Sequence, residues 1–202
     1  MIVSPPLRKG LLELNRELFN LTLTINALRI DPALAKEALL CLKNGWLLHL
    51  PKIKSIIQDP DSDKKLVLLD QKIKSLDQLP DQIRNWNIEG FKKYDLKLDY
   101  SYWTTEEILR SILPSELDVP SAFETIGHIA HLNLRPEYDP FKSIIGQVII
   151  DKSKLIKTVV NKIGQIHHTF RYFDMEVLAG EDKFETLVVR YLFDCRVKAV
   201  AC

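Results

Sequence analysis

The sequence predicts an α+β protein made of two small α/β-type domains with mixed sheets, and no Rossmann domain. Three observations carry this expectation. Period-two apolar stretches such as Leu21-Thr22-Leu23-Thr24-Ile25 alternate with helix-start signals such as Asp31-Pro32 and Thr104-Thr105-Glu106-Glu107. The seven glycines, at 10, 45, 90, 127, 146, 164 and 180, stand far apart, so neither a G-x-G-x-x-G turn nor a Walker loop can be written. The length of 202 residues suits one ordinary domain or two small ones, and a compact chain of that size needs no disulfide or metal to hold its core.

The elements follow in order. An amphipathic start over Leu11 to Phe19 leads into the Leu/Thr alternation, which reads as a half-buried strand. Asp31 is placed to cap a helix with Pro32 at its first position, and Leu34, Ala38, Leu39 and Leu42 give that helix an apolar face. Ile53 to Ile57 and Leu66 to Leu69 read as strands on either side of the turn cluster Asp59-Pro60-Asp61-Ser62-Asp63. A short helix is expected over Asp81 to Ile88, closed by Gly90. Tyr94 to Tyr100 alternates strictly and reads as a strand with one solvent face. Thr104 and Glu107 form a capping box, and the helix behind it must stop before Pro114.

Phe123 to Leu134 reads as one long strand, and Tyr138 to Ile150 as a proline-broken stretch that becomes helical. Lys157 to Ile163, Arg171 to Leu178 and Phe184 to Val189 read as further strands. The expected division is a first domain over 1–80, a linker over 81–93, a second domain over 94–189 and a divergent tail over 190–202.

Composition narrows the setting. No apolar run approaches the roughly 20 residues of a spanning helix, and the first residues carry neither a signal-peptide core nor an Arg/Ser-rich presequence. The expectation is a soluble intracellular chain, with Cys41, Cys195 and Cys202 as reduced thiols. Net charge is +1, yet residues 142–171 hold Lys142, Lys152, Lys154, Lys157, Lys162 and Arg171 against Asp151 alone. That strip suits either phosphates or an ordinary solvated lysine face.

The usual catalytic motifs are missing: there is no H-E-x-x-H, C-x-x-C or G-x-S-x-G. His128 and His131 would diverge on a strand, which argues against a shared metal. Asp174 and Glu176 would share a face, so they suit either an acid/base pair or an exposed strand edge.

Specific strings go further. Gly127-His128-Ile129-Ala130-His131-Leu132-Asn133-Leu134-Arg135 is followed by Ile144-Ile145-Gly146-Gln147-Val148-Ile149-Ile150-Asp151-Lys152 and then Val160-Asn161-Lys162. The last block is Arg171-Tyr172-Phe173-Asp174-Met175-Glu176-Val177-Leu178-Ala179-Gly180-Glu181. These four blocks, in this order, resemble the eukaryotic tRNA (guanine-37-N1)-methyltransferases. Looser similarity at Pro5-Pro6, Asn15 to Phe19 and Lys65 to Asp70 extends the likeness to about residues 4–186.

The resemblance implies an N-terminal domain that touches the outer corner of tRNA. It also implies a middle domain which, with a further cofactor domain, holds the anticodon loop and S-adenosylmethionine. N1 of guanine must lose a proton to accept a methyl group, so negative charge develops toward O6. A guanidinium there stabilises that charge without giving up its own proton. By resemblance that group is Arg171, and Asn133, Arg135, Lys152, Asn161 and Lys162 are the candidate tRNA contacts, each with a structural alternative. Gly127 and Gly180 are expected to serve backbone geometry at a turn or bulge.

After Val189 the chain does not carry the family's V-Y-W-N-P-R block, and the family's cofactor residues lie beyond that block. The expectation is therefore a chain that stops before the cofactor domain, binds no S-adenosylmethionine and is inactive alone. The alternatives are a non-enzymatic tRNA-binding fragment and the related aminocarboxypropyl transferase of wybutosine synthesis. Expected partners are tRNA with guanine at position 37 and no membrane; the chain is expected to be a monomer, in the cytoplasm, nucleus and mitochondrial matrix by resemblance.

Overall fold

The computed structural model describes residues 3–86, 88, 90–120, 122–163, 174–182, 185–188 and 197–200. The chain is α+β and divides into two compact units. One comprises residues 1–3 and 21–98, the other residues 4–20 and 99–202.

The first unit is a four-stranded antiparallel sheet in the order β2-β3-β1-β4. Its strands are β1 (Leu21–Ile30), β2 (Ile56–Gln58), β3 (Lys65–Leu68) and β4 (Phe91–Leu98). β1 shows why its sequence changes character along its length. Over Leu21 to Asn26 only β4 pairs with it, and Leu/Thr alternation matches one covered face. From Ala27 β3 pairs on the other side as well, and Ala27, Leu28 and Ile30 are all buried.

Two helices accompany this sheet, α1 (Ala35–Leu42) and α2 (Asp81–Arg84). The Asp31 carboxylate accepts from the Ala33 amide at 2.9 Å, as the Asp-Pro start predicts, although the first turn from Pro32 is a 3-10 helix. Ala38 and Leu42 of α1 and Ile83 of α2 join Leu28, Ile30, Val67 and Leu69 in one core cluster.

The strand expected to open the second domain instead belongs to the first. β4 pairs with β1 along eight register positions, from Leu21↔Leu98 to Leu28↔Phe91. It ends at Leu98 because the Asp99 carboxylate accepts from the Ser101 amide and turns the chain into a 3-10 helix. The first unit therefore runs through the expected linker at 81–93 and past the expected boundary at 94. Its connectivity is that of an insertion: residues 4–20 and Asp99 onward form one unit, and the chain leaves and re-enters it at two register partners, Leu21 and Leu98.

In the second unit the sheet order is β5-β6-β7-β8. The strands are β5 (Glu124–Ile126), β6 (Ile129–Leu132), β7 (Thr158–Ile163) and β8 (Asp174–Gly180). Only β6 and β7 run parallel, so among the described residues mixed pairing is confined to this sheet. The long strand expected over Phe123 to Leu134 is a hairpin. Gly127, at φ 59°, supplies the left-handed residue of a two-residue turn between Ile126 and Ile129, and apolar residues on both sides disguise the break.

Among the described residues the unit also holds two α-helices, α3 (Thr105–Ile112) and α4 (Lys142–Lys152). α3 starts at the predicted capping box: Glu107 N donates to Thr104 Oγ1 at 3.2 Å, and Thr104 N donates to Glu107 Oε2 at 2.8 Å. Residues 4–20 are tied in by Trp103 Nε1, which donates to the Phe19 carbonyl at 2.8 Å, and by Arg16, which pairs with Asp151 at 2.8 Å.

Gly146 of α4 faces β8 so closely that an added Cβ would stand 2.8 Å from Leu178 Cβ. Gly180 closes β8 at φ 94°, where a Cβ would meet the Lys157 carbonyl oxygen at 2.0 Å. β9 (Glu185–Val188) and β10 (Val197–Val200) form a separate antiparallel pair.

Candidate functional site

Three of the resemblance blocks meet at one end of the β6/β7 pair. β7 aligns Asn161 with Leu132 of β6, and β8 aligns Glu176 with Asn161. The Asn161 side chain is buried, with 5% of the residue exposed. Its Oδ1 accepts from the Leu134 amide at 2.9 Å, and its Nδ2 donates to Glu176 Oε1 at 3.1 Å. Glu176 Oε2 accepts from Lys142 Nζ at 2.6 Å, at the first residue of α4. The Lys142 ammonium holds the Glu176 carboxyl below its usual range, and Glu176 in turn raises Lys142. An ion-paired carboxylate with a depressed pKa is a poor proton carrier at neutral pH, which weighs against the acid/base reading of Glu176. The side chain of its expected partner, Asp174, lies outside the described residues.

Asn133 and Arg135 flank Leu134, and both are exposed. The Arg135 guanidinium pairs with Glu137 at 3.0 Å and lies 5.6 Å from the centre of the Tyr138 ring. Tyr138 is itself fixed, because its hydroxyl donates to the Asp118 carbonyl at 2.9 Å. The outer segment thus presents an amide and a guanidinium on a backbone anchored from inside.

The other candidates lie elsewhere. Lys152, at the end of α4, donates to the Tyr100 carbonyl, with its Nζ 3.8 Å from the ring centre. Lys162 follows Asn161 on β7, so its side chain takes the opposite face, where it stands 3.6 Å from Glu124 of β5. Of the basic strip, Lys142, Lys152 and Lys162 therefore all have protein partners. Arg171 lies outside the described residues. His128 sits in the hairpin turn, whereas His131 is buried on β6 and its Nε2 meets no partner among the described residues. Burial pushes the His131 imidazole down, toward its neutral form.

Sequence reasoning singled out Asn161 and Glu176 but not their connection. The partners of this network are 15 and 27 residues from Asn161, and Lys142 is 34 from Glu176, distances at which no local pattern reports a contact. In the first unit an open groove is lined by Thr24, Asn26, Lys74, Phe91 and Lys93, with Lys93 Nζ donating to Asn26 Oδ1 at 2.7 Å.

Among the described residues the left-handed glycines, at 10, 45, 90, 127 and 180, stand far apart in the chain, and the parallel strand β6 runs out into Asn133-Leu134-Arg135.

A family model described as the TYW2 N-terminal domain matches residues 105–183. The tRNA (guanine(37)-N(1))-methyltransferase of Batrachochytrium dendrobatidis is 47% identical over 185 residues, which are 89% of this chain and 39% of that protein. This chain is a homologue of part of the tRNA (guanine(37)-N(1))-methyltransferases. Those of Phytophthora infestans and Xenopus tropicalis are 42% and 41% identical, over 87% and 92% of this chain and 46% and 40% of the relatives. The chain thus spans less than half the length of the methyltransferases it matches.

Two solved structures share the fold at low identity. Trm5b from Pyrococcus abyssi matches with a TM-score of 0.54 at 18% identity, covering 87% of this chain and 48% of that one. The complex of aTrm5 and tRNALeu matches with a TM-score of 0.57 at 17% identity, covering 87% and 51%.

Proposed function

We propose that these 202 residues are the tRNA-holding part of a tRNA (guanine-37-N1)-methyltransferase. The observation that carries this reading is identity of 41–47% across about nine-tenths of the chain to methyltransferases of that name. The reaction is methyl transfer to N1 of guanine 37. S-adenosylmethionine supplies the methyl group when bound, at a part of the enzyme that these residues do not include.

The chain's own residues would bind and orient the RNA. In this reading Arg171 faces O6 of the target guanine and stabilises the charge that develops as N1 loses its proton. Asn133 and Arg135 meet the anticodon loop, and Lys152 and Lys162 approach the backbone. The unit of residues 21–98 meets the outer corner of tRNA, and its lysine-bearing groove suits a phosphate chain. The protein acts as a monomer in the cytoplasm, nucleus and mitochondrial matrix.

The test is tRNA binding and methyl transfer by the purified chain. A transcript with guanine at position 37 should bind, with affinity falling steeply as salt rises. Tritiated S-adenosylmethionine should leave the RNA unlabelled. Absence of binding at low salt would overturn the tRNA-holding role, and robust labelling would overturn the assignment of the cofactor to residues outside this chain.

A further inference from the structure

We infer that Asn161 is a positioning residue: it fixes the exposed Asn133–Arg135 segment through the Leu134 amide, and Glu176 and Lys142 hold it in the one orientation that does so. The inference rests on the proposed RNA-holding role of that segment. The Leu134 N–H sits between the two exposed side chains, so a hydrogen bond to it sets the peptide plane from which Asn133 and Arg135 project.

A carboxamide has a donor end and an acceptor end of nearly the same shape, and rotation by half a turn would aim the Asn161 NH2 at the Leu134 N–H. An ionised Glu176 only accepts, so it selects the orientation with Nδ2 toward itself and Oδ1 toward Leu134. Lys142 keeps Glu176 ionised from the start of α4. The direction of an exposed recognition segment is thereby decided by an ion pair on two other elements. Both polar atoms of the buried Asn161 side chain are engaged in this chain of bonds, and neither is turned toward a ligand.

The polarity of the network can be transposed. Asn161→Asp sets a second carboxylate against Glu176, and repulsion between the two ionised groups swings the new side chain off the Leu134 amide. When Asn161→Asp is combined with Glu176→Gln, the new glutamine donates to the new aspartate and accepts from Lys142, so every bond and the net charge return. Exchange of the Leu134 amide is read by NMR without RNA. Binding of a tRNA transcript with guanine at position 37 is read over a salt series, and circular dichroism confirms folding.

Asn161→Asp should speed Leu134 exchange about tenfold and weaken binding about fivefold, the size of one lost hydrogen bond. The double variant should restore both to within about twofold. The slope of log affinity against log salt should stay unchanged throughout, because no phosphate contact is removed. If Asn161→Asp does not fold, the double variant and Glu176→Ala decide: the first must protect Leu134, and the second, which takes away the acceptor for Asn161 Nδ2, must not.

Unchanged Leu134 exchange in Asn161→Asp would overturn the inference. So would a double variant with full Leu134 protection but weak binding, since Asn161 would then touch RNA itself. A wild-type chain that shows the exchange pattern without binding tRNA would overturn the proposed function and leave the network's hold on Leu134 intact.

Discussion

Asp59 concentrates four donors on one buried carboxylate. Oδ1 accepts from Lys92 Nζ at 2.6 Å and from the Asp61 amide at 3.1 Å, and Oδ2 accepts from Arg29 Nε at 2.7 Å and from Ser62 Oγ at 2.9 Å. The Lys92 hydrogen bond, chief among these, drives the Asp59 pKa well below the ordinary carboxylate range. A depressed folded pKa contributes stability that is present above the unfolded value, about 4, and is lost as pH falls toward the folded one. Amide protection in β3 and β4 should therefore drop as pH is lowered from about 5 to about 2. Asp59→Asn should lower that protection at neutral pH and flatten its acid limb. A variant with the wild-type pH dependence would remove Asp59 from this role. The sequence marks this residue as part of a turn cluster, and the turn is present. The two cations that converge on it come from β1 and β4, 30 and 33 residues away, which turn chemistry does not reveal.

At the scale of elements, the local signals are the legible ones. The Asp31-Pro32 start and the Thr104/Glu107 box are satisfied within three residues of themselves, so the sequence shows both partners at once. The hairpin at Gly127 and the side of the sheet chosen by β4 depend on partners that periodicity cannot name. Gly146 is of the second kind. A glycine within a helix ordinarily weakens it by about 1 kcal/mol relative to alanine. Here it lets α4 lie against Leu178 and Ala179 of β8, where an added Cβ would stand 2.8 and 3.2 Å from their Cβ atoms. Overpacking of a tight contact costs about 1–3 kcal/mol, which exceeds the propensity gain at the upper end of that range. Gly146→Ala should therefore destabilise the second unit, by up to about 2 kcal/mol in urea unfolding. A gain in stability would show that the helix can lift from the sheet without loss.

At the scale of the whole molecule, connectivity is the feature least legible in the sequence. The expected first domain ends at residue 80, yet the chain changes units at Asn20–Leu21 and again at Leu98–Asp99. Paired residues in an antiparallel ladder lie about 5 Å apart at Cα, so a short glycine linker spans the gap left by removing residues 21–98. The shortened chain should fold cooperatively and keep the Trp103–Phe19 hydrogen bond, seen as a buried indole in fluorescence. An unfolded product would show that the first unit supports the second beyond its two strand ends. The candidate site follows the same rule as the fold. Its exposed residues are visible as a motif, whereas the bonds from buried Asn161 to Leu134 and Glu176 are visible only once β7, β8 and α4 are assembled.

The same connectivity sets an order of events during synthesis. Arg16 leaves the ribosome early, but its partner Asp151 follows 135 residues later. At roughly 5–20 residues per second that is a wait of about 7–30 s. The first unit is complete at Leu98 and can close during this interval, when its two ends come together as register partners. For the nascent chain the insertion thus works as a staple: it delivers Asn20 to the side of Asp99 before most of the second unit has been made.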